Sequence, residues 1–281
     1  MVVKIDNVDP ARPQSGVNQA DVVYEELVEG GLTRLAAVFQ SDYPTLVGPV
    51  RSGRLTDPPI VDDLNHPVFA YSGTNAVFLP ILRSQPVTAV DDGNHAGAFW
   101  RTSLHANPHN LYSSVVGLAG LSTTHAPPPP LFSYLPAHAA FTGPGLVPAA
   151  QVGIQFPAAA VGWTWNAAAH LWLRSQNGTI DVDGAGIQLS TTNVIVQFVP
   201  YIISLRGYES GVATTIPQGE LLGTGAAWYF SNGEMIKGTW SRATLTSVTS
   251  YKDAKGTPLR LNRGRTWVEL APIGVTPTVV P

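Results

Sequence analysis

The side chains with the most chemical potential fall in two short stretches. Gly48-Pro49-Val50-Arg51-Ser52-Gly53-Arg54 sets two guanidinium groups three residues apart. Ala106-Asn107-Pro108-His109-Asn110-Leu111-Tyr112 sets an imidazole, a carboxamide and a phenol within four residues, just after a proline. Arginine is scarce, twelve in 281 residues, and lysine is scarcer. A planar guanidinium suits two-point contact with a carboxylate or phosphate, and histidine donates, accepts or shuttles a proton near neutrality. The pattern predicts a polar pocket for an anionic group, with Arg51 and Arg54 supplying charge and His109, Asn110 and Tyr112 fixing orientation. On extended backbone, residues three apart face opposite sides. A shared ligand therefore requires a bend, which Gly53 permits. Glu26 is expected to hold one of the arginines in place. The plainer alternatives are local ion pairs to Glu25, Glu26, Asp57 or Asp62, a helix-capping Asn110 and a core Tyr112.

Other chemistries find less support. Without cysteine there is no disulfide, thiolate or Cys-ligated metal. His105 and His109 stand four apart, but Pro108 interrupts any helix between them and no third ligand follows, so neither a metal nor a cofactor is expected. Asp181-x-Asp183-Gly184 reads as a hairpin turn rather than a calcium loop. Ser72-Gly73-Thr74-Asn75, between a strand and a helix, offers either a backbone anion site or a plain helix cap. Neither a P-loop nor a Gly-x-Ser-x-Gly elbow is present. Two alternatives to simple binding remain. One is a hydrolase or transferase acting on a cell-wall polymer, with His109 as general acid or base and direct attack by water. The other is an interaction scaffold without a small-molecule site. A net charge of −3 and a pI near 6.1 exclude a nucleic-acid footprint.

These residues must be carried by elements of two kinds. Residues 20–27 and 33–40 read as strands joined by Glu29-Gly30-Gly31, and residues 67–71 as a buried strand. Residues 56–64, 74–83 and 110–121 read as helices, the first two capped by Thr56 and Thr74. Strands mixed with helices predict an α/β-like layer with a mixed sheet over residues 1–147. A Pro/Ala/Gly-rich stretch from Ala126 to Ala160 reads as the crossing to a second unit. Residues 148–281 show short alternating strands and turn pairs such as Asn177-Gly178 and Asn232-Gly233, which predict a β-rich barrel or sandwich. Five of seven tryptophans lie between residues 163 and 240 and are expected in its core or rim, with a sugar-stacking surface as the alternative. The fold class is therefore α+β. Hydrophobic residues make up 44% and charged residues 12%, about half the usual charged share. No apolar run reaches the ~18 residues that span a bilayer.

The succession of motifs also resembles a known family. Ala11-Arg12-Pro13-Gln14-Ser15-Gly16, Ala20-Asp21-Val22-Val23-Tyr24-Glu25, Glu29-Gly30-Gly31-Leu32-Thr33-Arg34 and the two stretches above resemble the YerB-like family of bacterial lipoproteins. Asn193-Val194-Ile195-Val196-Gln197, Gly238-Thr239-Trp240 and Gly264-Arg265-Thr266-Trp267-Val268 extend the resemblance into the second half. It implies an exported, often lipid-anchored, two-part protein on the outer face of the cytoplasmic membrane, and it supplies no activity. The family's recurrent polar residues fall on Arg51, Arg54, His109, Asn110 and Tyr112. No lipobox cysteine is present, so attachment is expected through a leader outside this sequence, or the protein is secreted or anchored differently. The expected partners are an anionic small molecule, a cell-wall fragment or an envelope protein.

Overall fold

A computed structural model describes residues 1–74, 77–124, 126–209 and 212–281. Among these residues an eleven-stranded mixed sheet runs through both halves of the chain. Its order begins Ser250–Asp253, Glu234–Arg242, Gly223–Ser231, Asn193–Val199, Thr266–Pro272. It continues Val22–Leu27, Thr33–Val38, Val2–Asp6, Val68–Tyr71, Thr88–Asp91, and the eleventh strand, Val147–Pro148, pairs with Glu234–Arg242 off this path. The halves join where Val22–Leu27 pairs in parallel with Thr266–Pro272, Val22 opposite Thr266 and Glu26 opposite Leu270. A second, antiparallel sheet contains Gln151–Phe156, Ala159–Asn166, Leu171–Gln176 and Thr278–Val280. The α+β expectation, a mixed sheet plus a β-rich second half, holds.

The central strands are buried along their whole length because the large sheet is covered on both faces, and the charged side chains they carry, Lys4, Glu25, Glu26 and Glu269 among them, are buried with them. Val3, Ile5, Val23, Leu35, Val194, Val196 and Trp267 form one core with Val152, Ile154, Phe156, Trp163 and Trp172 of the second sheet. Their neighbours Val2, Val22, Tyr24, Ala36, Ile195, Val268 and Leu270 face the opposite way. There they meet Ile60, Val61, Phe78 and Leu82 of two short helices, with Phe132 and Phe141 from the Pro-rich segment.

Several expected elements differ. The helix at residues 110–121 is instead a strand, Leu111–Ser113, paired with Phe99–Arg101, followed by the helix Val115–Ala119. Ser114 caps that helix by accepting from the Gly117 amide, so Asn110 is not a cap. The helix after Thr56 is shorter, Asp57–Val61, with prolines in its first turn. Thr56 does not cap it, because its hydroxyl accepts from the Gly219 amide at 2.9 Å. The next helix spans Phe78–Arg83 with Val77 rather than Thr74 as its N-cap. Asn75, part of the Ser72–Asn75 candidate, lies outside the described residues. The Pro-rich crossing does not run to Ala160: Gln151–Phe156 is already a strand that buries Val152, Ile154 and Phe156. The hairpin Tyr201–Glu209 with Val212–Gly219 was not anticipated, because Ser204, Gly207, Thr214 and Thr215 dilute its apolar alternation.

Candidate functional site

Three neighbouring strands converge on one small cleft. Val2–Asp6 and Val22–Leu27 flank Thr33–Val38, each pairing with it antiparallel, so they run the same way. Asp6 ends the first of these strands, and Glu29 follows the second. Arg34 lies at the start of the strand between them, in register with both Asp6 and Glu26. The turn that delivers Glu29 needs glycine. Gly30 and Gly31 have φ of +72° and +76°, and a Cβ on Gly31 would come 2.8 Å from the Pro157 Cβ. The segment carrying Arg51 runs beside the first strand through an Ile5–Val50 bridge, and the Arg51 amide donates to the Lys4 carbonyl at 2.9 Å. His109 arrives on the loop just before the Leu111–Ser113 strand. The cleft encloses about 220 Å³ between Asp6, Glu29, Arg34, Arg51 and His109, with Val8, Val28 and Leu32 as apolar walls.

One buried oxygen organises this cleft. Asp6 Oδ2 accepts from His109 Nδ1 at 2.8 Å and lies 3.1 Å from Arg51 Nε. Its Oδ1 accepts from the Asn7 amide at 3.0 Å. An ionised carboxylate only accepts, so the hydrogen of a neutral His109 ring sits on Nδ1 and Nε2 keeps its lone pair. His109 Nε2 and the two terminal nitrogens of Arg51 have no partner among the described residues. The Asp6 side chain is 1% exposed, whereas those of Arg51 and His109 are 21% and 19% exposed. The anchor is thus buried and the two groups it steers reach solvent.

The structure brings only part of the expected set together. Arg51 and His109 share Asp6 and line the cleft. Arg54 does not line it: its side chain is 1% exposed, and Nε donates to Glu29 Oε2 at 2.6 Å while Nη1 donates to the Gly53 carbonyl at 3.0 Å. Gly53 is not a positive-φ bend. A Cβ there would lie 2.6 Å from the Phe78 ring, so the residue is glycine because an aromatic packs against it. Glu26 makes no hydrogen bond or ion pair to an arginine among the described residues, although the charge of Arg54 acts on it. It is fully buried and pairs with Lys4, whose ammonium also donates to Asp57 at 2.8 Å. Burial and the nearby Asp57 push the Glu26 carboxyl up to about 7, against the pull of Lys4. Tyr112 is a core residue, and burial pushes its phenol up to about 12. Asn110 braces its own hairpin: Oδ1 accepts from Arg101 at 2.7 Å and Nδ2 donates to the Thr102 carbonyl at 3.3 Å. His105 turns away from His109, with Nε2 3.1 Å from the Pro13 carbonyl. Among the described residues no group of three His, Cys, Asp or Glu could hold a metal ion.

Sequence reasoning missed Asp6 and Arg34. Asp6 is the one carboxylate of the strand Val2–Asp6, but the buried Lys4 in the same strand gives it no distinguishing pattern. A second buried network was also unforeseen. Arg174 of the second sheet pairs with Asp181 and, at 2.8 Å, with Glu25 of the large sheet. Beside it Glu269, in register with Glu25, accepts from Trp163 Nε1 at 2.9 Å, and burial next to Glu25 raises its pKa. Asn7 links this network to the cleft: its side chain donates to Glu25 at 3.0 Å while its amide donates to Asp6.

Comparison with known proteins gives one consistent picture. Residues 1–126 match the family model described as the N-terminal domain of a protein of unknown function, DUF3048, and residues 152–268 match its C-terminal domain. The chain is 27% identical over 281 residues to the protein named "Putative lipoprotein YerB" of Bacillus subtilis (strain 168), covering 97% of this chain and 81% of that one. It superimposes on the crystal structure of YerB protein from Bacillus subtilis with a TM-score of 0.81 at 24% identity, covering 99% of this chain and 93% of that one. At that identity the likeness speaks for the fold. Among the described residues, no helix is long and apolar enough to cross a membrane.

Proposed function

The chain belongs to the DUF3048 family, and we propose that it is an extracytoplasmic cell-envelope protein that binds an anionic group in the Arg51–His109 cleft. The ligand is a carboxylate or phosphate carried by a wall fragment, a peptide or a partner protein. Membrane attachment runs through a leader or lipid anchor outside these residues, in keeping with the lipoprotein name of the relative. One observation carries the reading. The two terminal nitrogens of Arg51 and Nε2 of His109 have no partner among the described residues, yet one buried oxygen of Asp6 faces both groups. A guanidinium whose Nε faces a buried carboxylate at 3.1 Å keeps its outer pair of N–H groups for a planar anion. Arg54 acts at one remove: by pairing with Glu29 it offsets a carboxylate that would otherwise repel the ligand. Arg34, in register beside Asp6 and donating through Nη1 to the Ser52 carbonyl at 3.4 Å, adds positive charge to the lining.

Thermal melting of wild type and Arg51→Ala against phosphate, citrate and soluble wall fragments tests the reading, because binding to the native state raises the melting point by mass action. Wild type should be stabilised by at least one of these anions, and Arg51→Ala should lose about 1.5–3 kcal/mol of binding while still folded. An unchanged shift in the mutant would remove Arg51 from the site.

The Asp6–His109 pair favours a second reading, in which His109 Nε2 is a general acid or base in a hydrolase or transferase. Among the described residues the cleft is lined by no Ser, Thr or Lys, and in this reading water is the attacking group. His109→Gln would then abolish turnover of a wall-derived ester or amide while keeping anion binding. Loss of binding with no turnover in wild type would favour the first reading.

A further inference from the structure

A second cavity lies between the Pro-rich segment at residues 135–139 and loops of the C-terminal half, and it has a different chemistry. It encloses about 560 Å³, and its lining includes Trp165, His138, His170, Asn232, Asn262 and Arg263. Ligand pockets span roughly 300–1,000 Å³, so the space suits a small molecule or a short oligomer. Trp165 is half-buried and packs against Trp172 at a centroid distance of 5.4 Å, which fixes its ring. His170 meets it edge-on at 6.2 Å. Gly233 keeps it uncrowded: a Cβ there would come 2.7 Å from the indole.

The polar groups around this ring are not used by the protein. The side-chain amides of Asn232 and Asn262 and the imidazole nitrogens of His138 and His170 have no hydrogen-bond partner among the described residues. Among the described residues Arg263 spends only Nε, donating to the Leu135 carbonyl at 3.3 Å, and meets no carboxylate. Asn232, at φ +54°, opens the Asn232-Gly233 hairpin turn, while His138 at φ +63° and His170 at +52° are held in the left-handed region outside such a pair. Such backbone costs energy and persists where the surroundings enforce it. Among the described residues no carboxylate lines the cavity.

We propose that this groove binds a saccharide chain. The C–H face of a pyranose carries slight positive charge and packs on the negative face of an aromatic ring. Its ring of hydroxyls, each donor and acceptor, needs the mixed donors and acceptors of amides, imidazoles and a guanidinium. A bare phosphate would leave the indole unused, and an apolar ligand would leave five polar side chains unpaired. The groove shares no lining residue with the Arg51 cleft, so this inference stands apart from the anion reading.

The test is titration of the full chain with chitotetraose and maltotetraose, followed by tryptophan fluorescence and calorimetry. Asn232→Gly removes an amide but keeps the left-handed turn, and Trp165→Ala removes the platform. Wild type should show saturable binding of at least one sugar. Asn232→Gly should weaken it at least about fivefold with an unchanged melting point, and Trp165→Ala should weaken it further. Arg51→Ala should bind sugar like wild type. Absence of saturable binding to both sugars, or binding that ignores Asn232→Gly and Trp165→Ala alike, would overturn the proposal.

Discussion

At Asp6, one carboxylate oxygen serves two cations or near-cations, and this sets what each substitution should do. Asp6→Asn keeps the volume but removes the charge that anchors Arg51 and fixes the His109 tautomer, so anion affinity should fall about tenfold or more even though Arg51 is present. Lys4 poses the converse case. It is buried between Glu26 and Asp57, and Lys4→Ala strands two carboxylates without water, which should cost about 3–5 kcal/mol in urea unfolding at neutral pH. The sign of the pH dependence follows. Glu26 is pushed up to about 7 and Asp63, by burial, to about 6, above the ordinary range for carboxyls in an unfolded chain. The folded protein therefore binds more protons than the unfolded chain between about pH 4 and 7. Stability from these groups is fully present below pH 4 and is lost as pH rises through 6 and 7. Their contribution should make the melting point higher at pH 5 than at pH 8, and Asp63→Asn should flatten the difference. Arg51 and His109 were legible in the sequence because rare polar types beside prolines stand out. Asp6 was not, because the groups that give it meaning arrive from elsewhere, His109 from 103 residues away.

At the scale of elements, glycine and proline placed the turns correctly but not the helices. Gly30-Gly31 and Asn177-Gly178 are turns because their residues hold positive φ, a demand readable from residue type alone. Gly53 shows the limit of that reasoning. It was expected to bend the chain, yet its missing side chain makes room for Phe78. Gly53→Ala should therefore destabilise by about 1–3 kcal/mol through overpacking, and chemical unfolding will measure it. A backbone-bend role would predict the same loss with Phe78→Leu in place; relief of the loss in the Gly53→Ala, Phe78→Leu double variant would establish the packing origin. The strand Leu111–Ser113 was misread as helix because a three-residue strand is shorter than any periodicity can reveal, and only its pairing with Phe99–Arg101 settles its form.

Across the whole molecule, the strands from both halves form one sheet. The two family models divide the chain in sequence, but Val22–Leu27 and Thr266–Pro272 pair side by side, and Arg174 bridges the second sheet to Glu25. The β-rich character and the strand-rich halves were legible from alternation and turn pairs. Their union was not, because a parallel pair separated by most of the chain leaves no local signal. Calorimetry should show a single cooperative transition, with Arg174→Ala lowering the whole transition by about 3–5 kcal/mol; two separated transitions would mean that the halves are energetically independent. The same junction supports the cleft, since Asn7 donates to both Asp6 and Glu25. The central claim is that Arg51 and His109 hold one anion together, and NMR of the full chain tests it most directly by following the Arg51 guanidinium and His109 ring signals while phosphate or citrate is added. Both sets should move along one saturation curve in wild type, and the His109 signals should stay still in Arg51→Ala. Signals that never move, or that move independently of one another, would contradict a shared anion site.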